Sequence, residues 1–122
     1  MRKLLILAVI SMFAAVSSEA EDNITLTGYD ELVFQAGEAL QSVDFQNASS
    51  NSCFIRISLI LQDGNILWQS DLLNPGDRVK SITLSEALHE GSYSATLAYE
   101  CFALEDKSQL NGFNSILTII AK

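Results

Sequence analysis

Two stretches of this chain alternate so regularly that they constrain everything else. "CFIRISLILQ" (53–62) puts Cys53, Ile55, Ile57, Leu59 and Leu61 on one face, and "YSATLAYECF" (93–102) does the same with Tyr93, Ala95, Leu97, Tyr99 and Cys101. Successive strand side chains point to opposite faces, so each stretch reads as a strand with one apolar side. Each also carries one of the only two cysteines. Run antiparallel with Cys53 opposite Cys101, the pairs are Ile55 with Tyr99, Ile57 with Leu97, Leu59 with Ala95 and Leu61 with Tyr93. Every inward residue then meets another inward residue. A slip of one position would turn the whole apolar set to water.

The surrounding sequence supplies more strands and no helical periodicity. "NITLT" (23–27), "ALQSVDFQN" (39–47), "NILWQSD" (65–71), "RVKSITLS" (78–85) and "NSILTIIA" (114–121) are strand-like and are separated by turn signals. "DG" at 63–64 predicts a two-residue hairpin, because type I′ turns need positive φ at both central positions. "NPGD" (74–77) predicts a second turn, with proline presetting φ before glycine. Strands recurring every eight to twelve residues or so mark a sandwich or barrel. The expected fold is all-β: an immunoglobulin/fibronectin-III-like antiparallel β-sandwich of about seven strands, with 53–62 and 93–102 as central neighbours.

The chain opens "MRKLLILAVISMFAAVSSEAED". Arg2 and Lys3, a short apolar run and the small residues Ser18 and Ala20 form the three parts of a secretory signal peptide. Residues 1–20 are assigned to it and 21–122 to one sandwich domain, with no membrane span after cleavage and a secreted, extracellular or cell-surface location. Without the signal, five basic and fourteen acidic residues remain, a net charge of −9. Such a surface repels nucleic acid, so no nucleic-acid partner is expected. In a secreted chain with two cysteines, a Cys53–Cys101 disulfide is the expected state. It would close a loop of 48 residues, for which the chain-entropy relation gives roughly 4 kcal/mol, less if the bond is strained. A redox-active pair lacks both a CxxC spacing and a helix N-terminus.

Tyr93 follows "EG" at the point where sandwiches place a tyrosine that hydrogen-bonds across a corner. The cysteine-led strand, the "DG" hairpin, the "PG" turn, the "G-x-Y" corner and the "Y-E-C" strand end together resemble small secreted Ig-like proteins of Gram-positive bacteria. The resemblance spans roughly residues 50 to 121. It implies fold and secretion, and it brings no active site, since no function is established for that group.

Candidate chemistry is sparse. His89 is the only histidine, and it sits in a predicted corner beside Glu86 and Glu90. No G-x-S-x-G elbow accompanies the serines. Glu105 and Asp106 in "LEDKSQLNG" are too few oxygen ligands for more than a weak calcium site. No cofactor or metal is expected, and the chain reads as a non-enzyme. Asn23 and Asn47 head glycosylation sequons, which matter only in a eukaryotic secretory pathway. Trp68, opposite Leu59 in the hairpin, is expected inward as core.

The outer face of the same sheet is more informative. Phe54, Ile60, Leu67, Phe102, Ile116 and Ile120 are expected there as one apolar patch. Patches of this kind mark partner surfaces. The expected function is therefore a module that binds a protein or cell-surface polymer through that face. The alternative is a structural subunit whose residues 21–35 complete a neighbour's sheet by strand addition.

Overall fold

The computed structural model describes Leu26 and residues 28–122. Residues 1–20, expected as a signal peptide, and nearly all of the expected strand 23–27 lie outside the described residues. Seven strands follow: β1 (Glu31–Phe34), β2 (Leu40–Gln46), β3 (Cys53–Leu61), β4 (Ile66–Gln69), β5 (Arg78–Thr83), β6 (Gly91–Ala103) and β7 (Gln109–Ala121). They form a five-stranded sheet in the order β1-β7-β6-β3-β4 and a two-stranded sheet, β2-β5. All pairings are antiparallel except β1 with β7, which is parallel. Among the described residues no helix is long and apolar enough to cross a membrane.

The central pair β3–β6 is where the alternating pattern placed it, with Ile57 and Leu97 fully buried. The register differs from the cysteine-anchored expectation by two residues. Cys53 lies opposite Ala103 and Cys101 opposite Ile55, followed by Ile57 with Tyr99, Leu59 with Leu97 and Leu61 with Ala95. A shift of two keeps every side chain on its face, so the apolar pattern is equally satisfied. The cysteines are diagonal neighbours rather than direct partners, both buried, with their sulfur atoms within hydrogen-bond contact of each other.

The β3–β4 hairpin also differs. Its loop has three residues: Gly64 N–H donates to the Leu61 carbonyl and Leu61 N–H to the Asn65 carbonyl, both at 2.9 Å. Gly64 alone takes positive φ there, at 92°. This is the geometry of a tight turn followed by a left-handed residue, and it advances the register by one. Ile60 therefore faces Ile66, whereas Leu59 still faces Trp68. The residue squeezed between them is Leu67, and the bulge turns it inward. Trp68 stays on the inner side, half-buried, with its ring 5.7 Å from that of Phe45 on the opposite sheet. The bulge is tied to the other layer as well: the Ser85 N–H donates to the Leu67 carbonyl at 2.7 Å and the Ser85 hydroxyl to the Ile66 carbonyl at 3.0 Å.

Inward residues of both sheets make one core. Phe45 and Ile82 from the small sheet meet Ile55, Ile57, Leu59, Leu97 and Ile119 from the large one. The Tyr29 ring packs edge-on against Phe45 at 5.6 Å, and its hydroxyl donates to the Asp44 carbonyl. Outside the core, the Arg78 guanidinium bonds the Asp44 carboxylate at 2.9 Å and holds it below the usual carboxylate range. β1 was not expected as a separate strand. It pairs with β7 of its own chain and buries Phe34, and the buried Gln41 amide bonds both the N–H and the carbonyl of Gln35 beyond it.

Candidate interaction face

The outer face of the five-stranded sheet is built from rows of directly opposed residues. One row runs Ile116–Thr96–Ile60–Ile66 across β7, β6, β3 and β4. Ile116 is 72% exposed and Ile66 47%. Ile60 lies half-buried between them. Since all four side chains leave the same side of the sheet, three isoleucines form an apolar band broken only by a threonine.

The next row, Asn114–Ala98–Ser58–Gln69, is polar and small. Ser58 is buried although it faces outward, because the Gln69 amide lies over it and donates to its hydroxyl at 2.9 Å. Then comes the pair Arg56–Glu100, bonded at 3.0 Å, with the Gln109 amide donating to the second carboxylate oxygen at 3.3 Å. At the far end Phe54 and Phe102 oppose each other, both half-buried. The Arg56 guanidinium lies 5.2 Å from the Phe102 ring centre and the Lys107 ammonium 5.9 Å from that of Phe54. Each aromatic face thus carries a cation rather than bare solvent.

Of the six residues expected on one patch, the structure brings Ile60 and Ile116 into a shared row. Phe54 and Phe102 form a separate pair, with two rows between it and the isoleucines. Ile120 sits at the opposite corner, where it pairs with Val33 of β1. Leu67 leaves the face altogether: it is 1% exposed, turned into the core by the β4 bulge. Two exposed contributors escaped the sequence reading, Ile66 and Val33. The first was hidden by the assumed two-residue turn, and the second lay in a segment with no assigned strand.

The remaining candidates are dispersed. His89 is exposed at the corner before β6, and its backbone carbonyl accepts a 2.7 Å hydrogen bond from the Tyr93 hydroxyl, as the corner motif anticipates. An open groove of about 590 Å³ lies beside it, lined by Leu61, Asp63, Glu86, Leu88, His89 and Tyr93 among others. Among the described residues no three His, Cys, Asp or Glu side chains converge as a metal site. Asp106 accepts the Ser108 N–H at 2.9 Å, and that bond holds its carboxyl below the usual range. Asn47 is fully buried, whereas Asn23 falls outside the described residues. Comparison of the chain with protein families, curated proteins and solved structures finds no match.

Proposed function

We propose that this protein is a secreted, non-enzymatic immunoglobulin-like module that docks a protein or cell-surface partner on the outer face of its five-stranded sheet. The observation that carries the reading is the exposed isoleucine row, Ile116–Ile60–Ile66, set beside a band of hydrogen-bonding side chains. Apolar side chains in register on a flat sheet lose water together when a complementary surface covers them. The polar band beside them gives direction and register to such a contact. The immunoglobulin-like assignment is supported by the strand order, with β1 parallel to β7 and β2–β5 opposite the larger sheet, and by the Tyr93 corner.

The test is capture from the native cell surface by the immobilised mature domain, compared with an Ile60→Lys, Ile116→Asp double variant. The reading expects wild-type capture of a defined partner and its loss in the double variant, with unfolding midpoints within experimental spread. Leu40→Asp, on the exposed side of the small sheet, should leave capture intact. Equal capture by wild type and double variant would move the contact to another surface.

A further inference from the structure

We propose that Cys53 and Cys101 are joined in a disulfide that crosses diagonally between β3 and β6, closed by thiol–disulfide exchange before the two sheets pack together. The two residues lie on the same inner face of adjacent antiparallel strands, offset by two positions, with Cys53 opposite Ala103 and Cys101 opposite Ile55. Their thiols hydrogen-bond each other, the contact that holds Cys53 below the ordinary thiol value and pushes Cys101 above it. Both side chains already converge, so closure needs no change of strand or face. Cys101 also sits at the β6–β7 irregularity between Glu100 and Phe102, and such irregularities increase local twist.

Timing follows from burial. Each cysteine is 1% exposed, so neither sulfur can be reached by an outside reagent once the sandwich has closed. In the still-open chain, one cysteine thiolate attacks a small disulfide such as oxidised glutathione and expels one glutathione thiolate. The second cysteine loses its proton and attacks the mixed disulfide at the protein sulfur, expelling the other. Two protein thiols and one small disulfide become one protein disulfide and two small thiols; the small disulfide takes up two electrons and two protons.

The register also gives the link a mechanical role. Phe54 and Phe102 are direct partners on the outer face, and Cys53 and Cys101 are the residues immediately before them in their own strands. The diagonal bond therefore passes behind the aromatic pair and ties together the two backbones that present it. This role does not depend on what the outer face binds.

The protein is denatured, refolded in a glutathione redox buffer and examined by intact mass. The expected product is two hydrogen masses lighter than the reduced chain and takes up no iodoacetamide when denatured without reductant. Added phosphine should leave the bond intact in the folded protein and cleave it on addition of denaturant. Two alkylated cysteines after refolding would overturn the bond itself. Reduction of the folded protein as fast as the denatured one would overturn its closure before packing.

Discussion

At the scale of single residues, the side chain with most at stake is Asn47. It is fully buried in the turn after β2. Its amide donates to the Cys53 and Leu73 carbonyls, both at 2.9 Å, and its oxygen accepts the Asn51 amide at 2.9 Å. Its backbone accepts Gly76 N–H and donates to Asp77. One residue thus satisfies polar groups from the β2–β3 loop, the start of β3 and the turn before β5. Leaving a buried acceptor unpaired costs about 1–3 kcal/mol, so Asn47→Ala should lose about 3 kcal/mol or more in urea unfolding. Asn47→Asp should do no better, since an ionised carboxylate cannot donate. Tyr93→Phe, which removes one bond to an exposed carbonyl, should cost about 1 kcal/mol in the same measurement. The network also excludes a glycan on Asn47 in the folded chain, because the amide nitrogen is enclosed. None of this was legible in "NASSNS", which reads only as a polar loop. The bonds to Asn51 and Cys53 are local, but those that tie Asn47 to Leu73, Gly76 and Asp77 reach a segment 26 residues or more away.

At the scale of elements, parity was legible and absolute register was not. Alternation fixes which face a side chain takes, and that held along β3, β6 and β7. It does not distinguish two registers that differ by two, and the cysteines, being diagonal, misled the choice between them. β4 shows the other limit. A "DG" pair suits a two-residue turn, but in this chain Asp63 accepts the Asn65 N–H at 2.9 Å while Gly64 alone goes left-handed. The three-residue loop and the bulge that restores pairing at Trp68 exchange the fates of Ile66 and Leu67. A pair of variants separates the two hairpins. Leu67→Ala should cost about 2–4 kcal/mol, as for a buried leucine, and Ile66→Ala about half a kcal/mol or less. The two-residue hairpin demands the reverse order. β1 escaped because four residues carry too little alternation, and because its parallel partner lies at the other end of the chain. At the β6–β7 irregularity, a Cβ on Gly112 would stand 2.7 Å from the Tyr99 carbonyl oxygen. Gly112→Ala should therefore destabilise by about 1–3 kcal/mol, read from the same urea midpoints.

At the scale of the whole molecule, two sheets share one core, and the pH dependence of stability should report on how that core is closed. Burial pushes the Tyr99 phenol far above its ordinary value, and burial, with Asp44 nearby, raises that of Tyr29. In the unfolded chain both would ionise as pH passes the ordinary value of 10.0. In the folded chain each holds its proton to higher pH. Below that pH the two states bind the same number of phenolic protons and these groups give no slope. Above it the unfolded state binds fewer, so stability falls as pH rises. The expected result is a urea midpoint, followed by the Trp68 signal, that is independent of these two tyrosines up to about pH 10 and then declines. A chain with formal charge −8 also repels itself more as its lysines lose charge, and this too would lower stability at high pH. Salt separates the two causes. Self-repulsion across the surface is screened within about 10 Å at 0.1 M salt, but the cost of ionising a buried phenol is not. If burial dominates, added salt leaves the alkaline slope in place and Tyr99→Phe reduces it. A slope that salt abolishes and Tyr99→Phe leaves unchanged would assign the alkaline limit to surface charge instead.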